Sequence, residues 1–157
     1  MRFLKIILFP LLVQLLMTQF TLAEKVELTS DSMNAIENKK EVHFIGNAKV
    51  KQLKDWIHAD KIIVHLTQEN KAKIYEALGN ATFEFQNEKG HYIGNSNQVQ
   101  YFPLQSLYIL TGKAKVEDKL NKRTIKGEKI TVDMLTGNSK VTSTGNSPVK
   151  MTFGTDK

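Results

Sequence analysis

An all-β fold is predicted, with about sixteen short antiparallel strands in two facing sheets generated by a 33-residue repeat. Three observations predict it. First, Gly46, Gly79, Gly112 and Gly145 lie 33 residues apart in related stretches: Phe44-Ile45-Gly46-Asn47-Ala48-Lys49-Val50, then 77–83, 110–116 and, more loosely, 143–149. A fixed period means one supersecondary unit used four times. Second, the positions two and four residues either side of each glycine are apolar in fourteen of sixteen cases, against three of sixteen at the odd positions. That alternation describes a strand with one buried and one wet face, and the three-and-four spacing of a helix is missing. Third, a small residue followed by a polar one recurs between the glycine strands, at Ser30-Asp31, Ala59-Asp60, Gly94-Asn95 and Gly127-Glu128. Apolar residues sit two before the small residue (Leu28, Ile57, Tyr92, Ile125) and an odd step beyond it (Met33, Ile62, Val99, Ile130). The buried face therefore changes parity there, as one extra residue in a strand would make it do.

Taken in order, the chain opens with a basic head, Met1 to Lys5, an apolar run from Ile6 to about Leu16, and Thr21-Leu22-Ala23 before Glu24. This reads as a secretory signal peptide over residues 1–23, cleaved after Ala23. Pro10, Gln14 and Gln19 leave the run short of the ~20 apolar residues of a membrane-spanning helix. The mature domain is then 24–157. Within it, polar turn-like joins at 37–40, 68–71, 87–90, 103–105, 118–122 and 136–138 separate eight long excursions, each broken in the middle. Each half can serve a different sheet. Residues 154–157 are expected to fray.

Loss of Arg2 and Lys5 leaves 20 basic and 16 acidic residues, a formal +4, and no block of like charge that would read as a nucleic-acid arm. There is no cysteine, so a disulfide scaffold and a thiol nucleophile are excluded, and burial and strand pairing must hold the fold. Neither end of the mature chain carries a helix or a polar terminal repeat; the weaker last repeat, with Ser143, Ser147 and Pro148, reads equally as a crude cap or as part of an open edge that pairs with other copies or partners by strand addition.

The glycine motif Gly46-Asn47-Ala48-Lys49-Val50, the turn Glu37-Asn38-Lys39 leading into Val42 and Phe44, and Ala59-Asp60 at the second kink resemble the OstA-like family of lipopolysaccharide-transport proteins. The resemblance covers the whole mature chain. It implies an open, slightly twisted β-jellyroll and a periplasmic location. It also implies a greasy groove between the sheets that holds the acyl chains of lipid A. The implied partners are lipopolysaccharide, inner- and outer-membrane transport proteins of the same fold, and further copies stacked head to tail.

Residues on the predicted buried face are the candidate lipid contacts: Met33, Ala35, Phe44, Ile62, Val64, Phe83, Val99, Tyr101, Leu110 and Val132. Interleaved small residues Ala35, Ala48, Ala81 and Ala114 would leave space, and Met33 and Met134 would adapt to floppy chains. Shielding an acyl chain requires no reaction, only about 0.8 kcal/mol of burial per methylene. Outward Lys49, Lys51, Lys113 and Lys115 are available to phosphates or simply form a solvated face. Glu117-Asp118, at a turn, reads as a solubility feature.

An enzyme is not indicated. His43, His58, His65 and His91 stand in no metal-ligand spacing, and neither a nucleophile elbow nor a phosphate-cradling loop is present. No cofactor is expected. Two alternatives stand beside the carrier reading: an anchored inner-membrane member of the same family, and an exported structural or adhesive β-repeat protein that binds by strand addition. The signal peptide and the lack of clustered aromatics on the wet face argue against nucleic-acid binding.

Overall fold

The computed structural model describes residues 24–145 and 147–155; the expected signal peptide lies outside these residues. Ten strands follow one another among the described residues. They are β1 (Val26–Thr29), β2 (Ser32–Ile36), β3 (Glu41–Gln52), β4 (Asp55–Leu66), β5 (Ala72–Asn87), β6 (Gly90–Phe102), β7 (Leu107–Asp118), β8 (Arg123–Asp133), β9 (Ser139–Thr142) and β10 (Lys150–Phe153). All pair antiparallel with their neighbours in one sheet ordered β1-β3-β4-β5-β6-β7-β8-β10, with β2 on the other half of β3 and β9 on the other half of β8. Single-turn 3₁₀ segments, Glu37–Lys39 and Pro103–Gln105, make two of the turns, each closed by a left-handed residue, Lys40 and Ser106.

The strand count differs from sixteen because six strands run unbroken through their kinks. The eight predicted excursions are all present, as β1 with β2, each of β3 to β8, and β9 with β10. Likewise, the two facing layers are halves of a single hydrogen-bonded sheet. The β1 layer holds β1, β10 and the halves carrying Val50, Ile57, Phe85, Tyr92, Val116 and Ile125. The β2 layer holds β2, β9 and the halves carrying Phe44, Ile62, Tyr75, Val99, Leu110 and Ile130.

The kink is built from glycine. Gly46, Gly79 and Gly112 have φ of +79°, +81° and +83°, and the next residues, Asn47, Asn80 and Lys113, are also left-handed. These pairs place two residues opposite one on the neighbouring strand, so the extra residue belongs to the glycine strands β3, β5 and β7. The even strands β4, β6 and β8 supply the single partner and change burial parity there: Ile57 and Ala59 are buried before the kink of β4, Ile62 and Val64 after it. The expected parity switch is therefore real, but the inserted residue lies on the other strand. In β6 the switch falls at Ser96-Asn97 rather than Gly94-Asn95. Gly112 abuts Asn97, as Gly79 abuts Asp60 and Gly46 abuts Asp31, with room for no Cβ (2.5–2.6 Å). Asn47 and Asn80 each donate from Nδ2 to the facing aspartate Oδ2, at 3.0 and 3.1 Å.

A seam of small residues follows the kinks across the sheet: Ala48 opposite Ala59, Ala81 opposite Ser96, Ala114 opposite Gly127. All but Gly127 are buried, so these alanines form the bend rather than leaving space in a groove. Folding along that seam brings the layers face to face. A straight strand would separate Tyr75 from Phe85 by ~33 Å. Instead ring contacts of 6.0 and 4.4 Å run along one layer from Tyr75 to Tyr101 and from Tyr101 to Tyr108, and a contact of 3.5 Å carries the stack from Tyr108 across to Phe85 on the other layer. The β5–β6 hairpin also bonds to the β8–β9 turn: Asn87 Nδ2 donates to the Met134 carbonyl at 2.9 Å, and Lys89 Nζ to that of Leu135.

The tail and one turn depart from expectation. The Gly154 N–H donates to the Lys122 carbonyl at 2.7 Å, so the chain is held at a residue expected to fray. Asp118 is buried rather than a solubility feature. It accepts from Asn121 N and Nδ2 and from Arg123 Nε (2.9 Å), which pins the β7–β8 turn.

Candidate functional site

The interior between the layers is apolar and carries no unmet hydrogen bonds. Every buried side-chain nitrogen or oxygen among the described residues has a partner; the buried Ser96 hydroxyl donates to the Gln98 carbonyl at 2.7 Å. Burial along the sheet is uneven. In the middle, Ile62, Phe83, Val99 and Leu110 are completely enclosed. At the ends, inward-facing residues are uncovered: Met33 is 58% exposed on β2, Met151 and Phe153 are 43% and 63% exposed on β10, and Val42 and Phe44 are half-buried. The sandwich is thus filled at its centre and open at both terminal edges.

A narrow cleft, about 280 Å³ of empty space with the open solvent at its mouth included, lies between the layers beside the aromatic stack. Val26, Val50, Ile57 and Phe85 form its wall on the β1 layer; Tyr75, Tyr101 and Tyr108 form the opposite wall. Its polar groups are Gln52 and Asp55. Asp55 Oδ1 accepts from the Gln86 N–H at 2.8 Å, and Oδ2 from the Tyr108 hydroxyl at 3.2 Å, so this pair also ties the layers together. Burial raises the Asp55 carboxyl above the ordinary aspartate value, with the Glu84 charge adding to it. Burial, and then the Asp55 charge, push the Tyr108 phenol far up, so it stays protonated and serves as a donor rather than a base.

The predicted contacts divide by this geometry. Ile62, Val64, Phe83, Val99, Leu110 and Val132 lie in the enclosed centre. Tyr101 lines the cleft; Phe44 packs half-buried at the edge of the core; Met33 and Ala35 lie exposed on β2. All ten share the inward face, but the structure does not bring them into one continuous accessible surface. The cleft residues Val50, Tyr75, Phe85 and Tyr108 were not singled out, although the period-two alternation already turns Val50, Tyr75 and Tyr108 inward. Asp55 carried no signal, since an aspartate after a turn reads as solvated.

The histidines lie on outward faces. His43, His65 and His91 each meet a glutamate at 2.8 Å, namely Glu41, Glu76 and Glu84. The hydrogen bond from His43 holds Glu41 below the usual carboxylate range, and that from His91 does the same for Glu84. Trp56 Nε1 also donates to Glu84 Oε2 at 3.1 Å, so the single tryptophan packs near its turn as expected. Among the described residues no group of three or more His, Asp or Glu side chains is arranged to hold a metal, and no helix is long and apolar enough to cross a membrane.

Fold and site together define an open, kinked β-jellyroll-like sheet whose apolar inner face, among the described residues, is uncovered at β2 and β10 and borders a narrow cleft. The chain belongs to the family described as LptA/(LptD N-terminal domain) LPS transport protein, which matches residues 27–146. That is a transport family and not an enzyme family. Among solved structures, the chain is similar to LptH from Pseudomonas aeruginosa, described as the LptA homologous periplasmic component of the conserved lipopolysaccharide transport device. The TM-score is 0.74 at 19% identity, over 84% of this chain and 96% of that one. No curated protein sequence matches.

Proposed function

We propose that the mature chain, residues 24–157, works in the periplasm as a non-enzymatic, LptA-like carrier. On this reading it shields the acyl chains of lipid A between its two layers and passes lipopolysaccharide from inner-membrane to outer-membrane partners of the same fold. The observation that carries this reading is the uncovered apolar lining. Inward-facing Met33, Met151 and Phe153 stand exposed at both ends of an interior without reactive or unpaired polar groups. Because the centre is filled, acyl chains reach Phe83 and Leu110 only if the layers part at the cleft. Stacked copies would join the open ends head to tail and make the lining continuous.

Photo-crosslinkers placed at Tyr101, Phe44 and Phe83 in living cells test this. Tyr101 and Phe44 are expected to crosslink to lipopolysaccharide, and outward Lys49 and Thr82 are not. Crosslinks from Lys49 and Thr82 alone would reject an interior path. N-terminal sequencing of the exported protein should begin at Glu24.

A further inference from the structure

The fourth repeat departs from the first three, and the departure opens a second concavity. Gly46, Gly79 and Gly112 dock against a polar residue at the kink of the preceding excursion, Asp31, Asp60 and Asn97, whereas nothing lies within 4 Å of Gly145. Strands β9 and β10 therefore take separate halves of β8, and among the described residues Gly127 and Glu128 between them have no strand partner on that side. The resulting hollow has about 960 Å³ of empty volume, open to solvent. Its floor includes Ala114 and Gly127, which have almost no side chain to fill it, and Lys113, Lys115, Lys126 and Lys150 line it.

These lysines are badly placed for the fold alone. Lys115, Lys126 and Lys150 stand directly opposite one another on β7, β8 and β10. Like charges in register destabilise a sheet. No other lysine pair faces in register among the described residues; on the same layer Lys51 faces Glu27 and Lys49 faces Thr29 and His58. Lys115 also reaches Glu117 at 3.2 Å. Glu128 is the one acid in the hollow, against four cations. Guarding the free edge against aggregation explains Lys150 on β10 but not Lys115, two strands further in.

Edge strand β10 adds the second half of the argument. Its alternate residues face opposite ways, so Lys150 joins the outer lysine row while Met151 and Phe153 face inward and uncovered. An amphiphile straddling this edge would set its acyl chains against Met151 and Phe153 and its anionic head against the lysines. We infer that the β7–β8–β10 lysine row is the docking site for the phosphate groups of a phosphorylated glycolipid held at the C-terminal end of the sheet. This rests on the carrier reading above and says where the head group sits.

The test is binding of wild type, the triple variant Lys113→Gln/Lys126→Gln/Lys150→Gln, and Lys126→Glu to purified lipopolysaccharide before and after enzymatic dephosphorylation, with inorganic pyrophosphate as a third probe. For phosphorylated lipid the triple variant should bind on the order of tenfold more weakly at low salt, with a smaller loss at high salt. For dephosphorylated lipid it should match wild type. Lys126→Glu sets an acid between Lys115 and Lys150, so its melting temperature should rise while its lipid affinity falls; that outcome separates docking from misfolding. Equal affinity of variants and wild type for phosphorylated lipid would overturn the docking site alone. Wild type binding neither lipid would overturn the carrier reading and this inference with it. Pyrophosphate binding as tightly as the glycolipid would overturn the lipid assignment.

Discussion

Gly79→Ala isolates what the repeated glycine does. Gly79 sits at φ +81°, and an added Cβ would come within 2.5 Å of Asp60 Oδ2. A left-handed alanine costs about 1–2 kcal/mol. Displacing Asp60 also breaks its bond from Asn80 Nδ2 (3.1 Å), a further 0.5–1.5 kcal/mol or so. The expected loss is roughly 2–3 kcal/mol, or about 6–12 °C in melting temperature for a domain of this size. Gly145→Ala is the matched control. Its φ is +88° with open space around it, so only the conformational cost of about 1–2 kcal/mol remains. Urea unfolding followed through Trp56, the only tryptophan, gives both values. In an Asp60→Ala background the Gly79→Ala penalty should shrink by the side-chain share. If the two glycine variants cost the same within ~0.5 kcal/mol, docking of the bulge on Asp60 contributes nothing and the account of the kink fails.

Two further outcomes are expected. Burial raises Asp55 in the folded state, so wild type binds protons more readily when folded, and this carboxyl's contribution to stability falls as pH rises through the unfolded value of 3.8 and on through the folded one. Asp55→Asn removes that dependence, so its stability relative to wild type should rise across the same window in urea titrations; an offset independent of pH would contradict the burial argument. The uncovered ends predict concentration-dependent association. In light scattering, Met33→Asp and Phe153→Asp should each shift the protein towards monomer, and a wild type that is monomeric at every concentration would rule out unaided stacking.

Much of this fold was legible because its two signals are short-range. Period-two alternation around Gly46, Gly79 and Gly112 placed Ala48, Phe83 and Leu110 inward, and the structure buries all three completely. The parity switch beside Asp60 was visible from Ile57 and Ile62 alone. What sequence did not reveal is which strand carries the extra residue. Either strand of a bulged pair gives the same relative shift, and only the register of Ile45 with Lys61 and Ala48 with Ala59 decides it. In β6, Gly94 mimicked the small residue of the motif and masked Ser96, whose hydroxyl is satisfied locally at Gln98. The site was less legible. Alternation reports a facing, not an exposure, so it could not separate enclosed Val99 from open Met33. Asp55 takes its character from Tyr108, 53 residues away.

The division between filled centre and open ends bears on how a carrier of this kind would load. Prying the layers apart exposes apolar area at about 25 cal/mol per Å², which would be prohibitive if the gap filled with water. An acyl chain entering the gap replaces sheet-to-sheet contact with sheet-to-chain contact and removes its own methylenes from water at about 0.8 kcal/mol each. The exchange is then near neutral for the protein and favourable for the chain. What opposes it is the polar closure: Tyr108 on Asp55, and the β5–β6 hairpin on Met134 and Leu135. These few bonds are worth about 0.5–1.5 kcal/mol apiece, small enough to yield to one chain yet sufficient to keep the empty protein closed. The small-residue seam supplies the pivot. Pairs such as Ala48 with Ala59 let the backbones swing with few side chains to clash, so loading would proceed from the uncovered ends toward the seam.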